Sequence, residues 1–353
     1  MKSIINPNLV DTTLQPMFLG EDLSFQRYDR HKYPFFYNNY KTQRKYYWSP
    51  EEVNLSKDRV DFKNLTEAEE FIFTSNLKYQ MLLDSAQSRG IPFLTQYVTL
   101  PELELAMKSW EFFETLHSES YSWIIQNVYP NVAQMLDDAH SDKEIQNRIQ
   151  STKKYYDALI HSDQKSLKDS IYLCLIAINI LEGVRFYVSF ACAYAMAMNQ
   201  KMEGNSKIIQ LINRDENLHL VLSQTIIKKM IEEPSEGFQE VTKRNEETVY
   251  QMYAQAAQEE KNWAEYLFSK GSVLGCNAEM LSQYMECVVN QRMKHIGLTP
   301  MFEKTNNPLE GWLSNYTDSK KIQDAPQETE ITSYMKASFV DDIHTYDMKK
   351  YTF

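Results

Sequence analysis

The sequence has 353 residues, 43% of them hydrophobic and 13% aromatic, enough to bury a sizeable core in one large domain or two ordinary ones. A formal net charge of −11 and a pI near 5.3 argue against a surface that works by neutralising nucleic-acid phosphates or anionic lipid. Nine Gly and eleven Pro supply too little punctuation for an all-β fold, while good helix formers are plentiful, so the expected class is all-α.

In chain order, residues 1–45 carry Pro7, Pro16 and Pro34 in a Tyr/Arg/Lys-rich stretch and read as an irregular N-terminal arm lying on the surface. The main helical domain is expected over 46–305. Thr66 caps an acidic first turn, Glu67-Ala-Glu-Glu, and opens a helix that should end near Gly90-Ile-Pro92. A second helix starts at Pro101, followed by Glu102 and Glu104, and runs to about Val128-Tyr-Pro130. Further helices are expected over 143–162, 167–198, 205–232, 238–269 and 278–296. After Gly297 the composition shifts to Asn, Pro, Asp, Ser, Thr and Gln, so 306–353 read as a wrapping segment and a mobile C-terminal tail.

Ile171 to Met198 is apolar enough to span a bilayer, yet Glu182 and Arg185 near its middle would be costly in hydrocarbon and no Lys/Arg excess marks one flank. The run is therefore read as the central helix of a bundle, with no membrane partner. Cys174, Cys192, Cys276 and Cys287 show no CxxC spacing and read as reduced thiols. The first residues lack the apolar stretch of a signal peptide, and the expected location is the cytoplasm.

Two Glu-x-x-His motifs, Glu114-Thr-Leu-His117 and Glu216-Asn-Leu-His219, lie inside helical stretches, where residues i and i+3 project from one face. Each offers one oxygen and one nitrogen ligand. Asp84 lies 30 residues before Glu114, and Glu182 lies 34 before Glu216, both in apolar contexts. That spacing suits a helix, a turn and an antiparallel return to the same depth, so two halves would deliver six ligands to one place. Four interior carboxylates without compensation are prohibitive, whereas two divalent cations supply +4 against −4. Mixed carboxylate and imidazole ligation without thiolate suits iron or manganese, in the ferritin-like di-metal arrangement with Asp84 replacing one of its single Glu residues. A lone Glu-x-x-His is usually an exposed pair; the duplicated set with its preceding acids is what favours a metal site.

Tyr121, four residues after His117, emerges one turn further along the metal-facing side. Phe186 and Phe190 follow Glu182 at i+4 and i+8, Ile212 precedes Glu216 at i−4, and Leu77 precedes Asp84 at i−7. These residues would form a dry apolar pocket in which an oxidised Tyr121 is shielded. Spacing alone leaves a second reading equally open, that all five are packing residues.

At these residues the chain resembles a known family, the small subunit of class I ribonucleotide reductase, over nearly its whole length. The similar segments are Trp48-Ser-Pro-Glu-Glu-Val53, Asn76-Leu-Lys-Tyr-Gln-Met-Leu-Leu-Asp84, Glu114-Thr-Leu-His-Ser-Glu-Ser-Tyr121, Leu181-Glu-Gly-Val-Arg-Phe-Tyr-Val-Ser-Phe190 and Arg214-Asp-Glu-Asn-Leu-His219. The resemblance implies that Asp84, Glu114 and His117 hold one iron and Glu182, Glu216 and His219 the other, with Glu114 and Glu216 able to bridge. It puts Tyr121 at the radical tyrosine and implies a path through Trp48, Asp215 and His117, with Tyr334 relaying from the tail. It further implies O₂ as oxidant, a homodimer, and a large subunit that reduces ribonucleotides and on which Asp347 to Phe353 dock. Without the family, Trp48 reads as an interface or core aromatic, Asp215 as a partner of Arg214, and Tyr334 as a surface residue. Phe113 and Glu119 stand where some relatives carry Ser and Arg, which leaves the ligands intact but blurs the subclass and the preferred metal.

Three rival classes remain. Iron storage needs a compact bundle that assembles into a shell, which about 350 residues and an irregular tail fit poorly. A di-iron oxygenase or desaturase needs a substrate channel in place of a sealed Tyr pocket. A purely structural helical protein has no use for the duplicated acid and imidazole set.

Overall fold

The computed structural model describes residues 4–303 and 305–317, and within them every regular element is helical. The elements are α1 (Pro34–Lys45), α2 (Ser56–Phe62), α3 (Glu67–Thr95), α4 (Pro101–Val128), α5 (Val132–Ser141), α6 (Lys143–Ile160), α7 (Leu167–Ile180), a π-helical turn (Leu181–Arg185) and α8 (Tyr187–Met198). They continue with α9 (Glu203–Glu232), α10 (Gln239–Arg244), α11 (Glu246–Leu267), α12 (Ala278–His295) and α13 (Glu310–Thr317). The all-α helical bundle expected from the sequence is the observed architecture, with α3 lying along α4, α6 on α7, α8 on α9 and α11 on α12.

Helix α3 begins where its capping box dictates: Thr66 Oγ1 accepts from Glu69 N, and the Glu69 carboxylate accepts from Thr66 N. It does not stop at Gly90-Ile-Pro92 but runs on to Thr95. Proline so close to the end forfeits only one carbonyl partner, and the extra turn buries Ile91 and Leu94 completely. The expected 238–269 helix is broken between α10 and α11. Asn245, at the junction, turns its side chain to Asp169 Oδ1 (2.6 Å) and the Val241 carbonyl (2.9 Å).

The irregular reading of 1–45 needs correction for its last third, since α1 is a regular helix with Pro34 in its first turn. It packs on α4, buries Phe36, and places Asn39 Nδ2 on the Leu218 carbonyl of α9. The segment before it is tied down by one buried carboxylate: Glu236 accepts from Met17 N (2.6 Å), Lys32 Nζ (2.5 Å) and Tyr33 Oη (2.7 Å). The composition shift after Gly297 does not exclude helix either, because α13 lies within the expected wrapping segment.

The long apolar run is a core element. Leu167–Met198 is long and apolar enough to cross a membrane, but 94% of its most hydrophobic window is buried within the protein. Its polar groups find partners there: Asn179 bonds Ser223 Oγ and Tyr253 Oη (both 2.8 Å), and Ser189 Oγ donates to Asn76 Oδ1 (2.8 Å). The π turn interrupts the run midway, and buried Arg292 of α12 donates from Nε to the Gly183 carbonyl at 3.0 Å.

Helix α9 has no cap of its own: Met202 before it is left-handed (φ 54°) and carries no side-chain oxygen to accept from the first-turn amides. Fully buried Asp58 of α2 supplies the cap, accepting from Gly204 N (2.9 Å) and Asn205 N (2.6 Å). Replacing Asp58 with Ala should therefore cost about 1–2 kcal/mol in chemical denaturation. Hydrogen exchange should speed up at the first amides of α9; unchanged exchange there would refute the capping role.

Candidate metal centre

Four elements bring the six predicted ligands together. Asp84 comes from α3, Glu114 and His117 from successive turns of α4, Glu182 from the π turn, and Glu216 and His219 from successive turns of α9. All six are fully buried. They form two overlapping groups, Asp84, Glu114, His117 and Glu216 on one side and Glu114, Glu182, Glu216 and His219 on the other, each with its ligand atoms within 4.8 Å of one another. Glu114 and Glu216 belong to both groups. His117 Nδ1 lies 3.0 Å from Glu216 Oε1, and His219 Nδ1 lies 3.0 Å from Glu114 Oε1, so each imidazole faces the other motif's carboxylate.

The electrostatics are those of anions packed too closely. Burial, then repulsion by Glu114 and Glu216, raises the Asp84 carboxyl well above its ordinary range; burial, then Glu216 and Glu114, does the same to Glu182. Burial also opposes ionisation of Glu216, yet the adjacent Glu182 carboxyl and the His117 and His219 imidazoles override it and hold that group low. His117 is pushed well above the usual imidazole range because Asp215, Glu114 and Glu216 outweigh its burial, and His219 rises against burial through Glu114 and Glu216. Several ligand atoms have no hydrogen-bond partner: both Asp84 oxygens, Glu114 Oε2 and Glu182 Oε2. Orphaned acceptors in a dry interior are costly, and hard divalent cations with oxygen and imidazole preference fit them.

Around this cluster lie residues that spacing did not single out. Trp110, one turn before Glu114, donates from Nε1 to Glu114 Oε1 (2.7 Å) and stacks on the His219 ring with centroids 5.2 Å apart. Phe113 sets its edge against both imidazoles. Gln87, one turn after Asp84, donates to Glu182 Oε1 and accepts from Tyr156 of α6. Helical spacing from Asp84 and Glu114 could have found Gln87 and Trp110; nothing in the sequence points to Tyr156.

Trp48 is fully buried and donates from Nε1 to Asp215 Oδ2 at 2.7 Å. The same oxygen lies 3.4 Å from His117 Nε2, so one carboxylate oxygen joins the indole to a ligand imidazole. Arg214 Nε holds the other oxygen at 3.3 Å, and its guanidinium lies over the Tyr46 ring, 4.3 Å from the centroid. Tyr121 is fully buried; its hydroxyl adjoins Asp84 without reaching hydrogen-bond geometry, and burial, then Asp84 and Glu216, raises its ionisation well above the ordinary phenol. Leu77, Phe186, Phe190 and Ile212 are buried in the same core, with the two Phe rings stacked at 5.5 Å. Tyr334 and Asp347 to Phe353 lie outside the described residues.

The sequence family "Ribonucleotide reductase, small chain" matches residues 26–308. The chain is 42% identical to the ribonucleoside-diphosphate reductase subunit beta of Buchnera aphidicola subsp. Baizongia pistaciae, over 96% of each chain. It is similar to the ribonucleotide reductase R2 subunit from Clostridium botulinum, with a TM-score of 0.82 and 30% identity over 90% of this chain and 98% of that one. Streptococcus sanguinis dimanganese(II)-NrdF shares the fold, with a TM-score of 0.69 at 19% identity over 82% of this chain and 98% of its own. With two symmetric carboxylate and imidazole groups at its centre and these relatives matched nearly end to end, the chain belongs to the ribonucleotide reductase small-subunit family, an oxidoreductase family.

Proposed function

We propose that this chain generates and stores a radical on Tyr121 and passes the oxidising equivalent to the reductase large subunit, which reduces ribonucleoside diphosphates for DNA synthesis. The observation that carries this reading is Asp215 Oδ2, shared between Trp48 Nε1 at 2.7 Å and His117 Nε2 at 3.4 Å. Iron storage and substrate oxygenation have no need of a buried indole joined to a ligand imidazole; a subunit that must export an electron hole does.

Asp84, Glu114 and His117 would hold one metal ion and Glu182, Glu216 and His219 the other, with Glu114 and Glu216 able to bridge. Bound as an iron pair, or as manganese as in the streptococcal relative, the metals would supply one-electron oxidising power drawn from O₂. Tyr121 would lose an electron and its hydroxyl proton together, with the neighbouring Asp84 carboxylate as the proton acceptor. Loss of that proton keeps the radical neutral, which suits a site without water. Leu77, Phe186, Phe190 and Ile212 would keep reductants away. The equivalent would then leave through His117, Asp215 and Trp48, with Tyr334 as the next station. The working form is read as a homodimer in the cytoplasm, a compartment that suits the free thiols of Cys174, Cys192, Cys276 and Cys287.

Three outcomes are expected. After ferrous iron and O₂ are added to metal-free protein, a tyrosyl electron paramagnetic resonance signal should form. In Tyr121→Phe it should vanish while metal uptake is kept; a signal surviving in that variant would place the radical elsewhere.

Asp215→Asn should still bind metal and form the radical, yet turnover with the large subunit should drop about 10–100-fold. Full turnover in that variant would remove Asp215 from the path.

Because burial and mutual repulsion raise Asp84 and Glu182 above the usual carboxylate range, a cation competes with protons there, and metal binding should release protons and tighten as pH rises. Calorimetry in buffers of different ionisation enthalpy reads both; a pH-independent affinity would contradict that competition.

A further inference from the structure

Glu182 is held by a relay reaching to a helix that contributes no ligand. Gln87 of α3, fully buried, donates from Nε2 to Glu182 Oε1. The Tyr156 hydroxyl of α6, also buried, donates to Gln87 Oε1. An amide can face either way, and the second bond decides which: with a phenol donating to its oxygen, Gln87 must turn its N–H₂ toward the carboxylate. Burial, then the nearby Cys174, Glu182 and Glu114, keeps that phenol protonated and so able to donate.

Close packing makes the relay possible. A Cβ at position 90 would overlap the Tyr156 ring, so Gly90 on α3 is what lets the ring lie flat against the helix and reach Gln87, one turn away. The far side of Glu182 is fixed as well, because the π turn that carries it is gripped by Arg292 at the Gly183 carbonyl and by Arg185, which pairs with Glu259 at 2.7 Å.

The two oxygens of Glu182 are thereby made unequal. Oε1 is occupied by the amide, while Oε2 has no hydrogen-bond partner and lies 3.9 Å from His219 Nδ1. Asp84 on the opposite side has both oxygens without partners. We propose that Gln87 and Tyr156 are positioning residues that restrict Glu182 to presenting one oxygen, Oε2, to the metal beside His219.

This inference rests on the dinuclear reading, and the test separates the two. Mn(II) is titrated into full-length metal-free protein, with the electron paramagnetic resonance of free aqueous Mn(II) counting the bound ions and calorimetry giving affinities. Wild-type protein should bind two ions per chain. In Gln87→Leu one ion should keep its affinity while the other weakens about 10–100-fold. Tyr156→Phe, which removes a single oxygen atom and keeps the packing, should weaken the same ion to a smaller extent. Wild-type affinities at both subsites in both variants would overturn the positioning role. Parallel weakening of both ions together with a lower Tm would show that these residues only pack the helices, and would overturn it too. Binding of fewer than two ions by the wild-type protein would overturn the dinuclear reading itself, and the inference with it.

Discussion

Four carboxylates and two imidazoles share a volume from which water is shut out, and the mutual repulsion of the anions sets the terms for the rest of the molecule. That repulsion, with burial, raises Asp84 and Glu182 above the usual carboxylate range, while neighbouring carboxylates raise both imidazoles and Glu216 is held low between them. Such a balance survives only if the groups cannot move apart or reach solvent. Long helices meet that demand, since their backbone hydrogen bonds are satisfied internally and side chains one turn apart are held at fixed separation. The lengths of α3, α4 and α9 follow from the same need, because each spans the core and carries its ligands near the middle.

Support for the cluster comes from residues outside it. Helix α9 carries Asp215, Glu216 and His219 in one stretch, and its first turn is satisfied by a carboxylate borrowed from α2. On the opposite flank, Arg148 of α6 pairs with the fully buried Glu260 of α11, lying 4.3 Å from the centroid of the Tyr79 ring and 4.6 Å from that of Trp263. Arg185 of the π turn bonds Glu259 and Ser151 there, each at 2.7 Å. Buried charges of this kind add little net stability, but losing one partner would strand the other, so they fix which helices may be neighbours.

Much of this was legible in the sequence because helices repeat at short range. Glu114 and His117, or Glu216 and His219, can be assigned to one face from spacing alone, and the acids 30 and 34 residues upstream follow from the length of a helical hairpin. Starts were legible where a side chain acts locally, as Thr66 and Pro101 do. What escaped depends on residues far away in the chain. The end of α3 is set by burial of Ile91 and Leu94 rather than by Pro92, α1 is stabilised by docking on α4, and the partner of Gln87 sits 69 residues further on. Asn245 is an ordinary helix residue until Asp169 is beside it. The six clustered residues could be named from the sequence and most of their supports could not, because the cluster is written along two hairpins whereas its supports are written across the whole bundle.

The π turn at Leu181–Arg185 has a consequence for the spacing of everything after it. One additional residue in a helical turn advances the phase of all later side chains by about 100° relative to an unbroken α-helix. The wide turn therefore lets the faces of α7 and α8 be set separately: Asn179 before it answers Ser223 and Tyr253, and Ser189 after it answers Asn76. Deleting a single residue here would leave a helix that looks more regular and would swing Phe186, Ser189 and Phe190 together away from their neighbours. The length of this segment is thus as much a structural specification as the identity of any side chain in it.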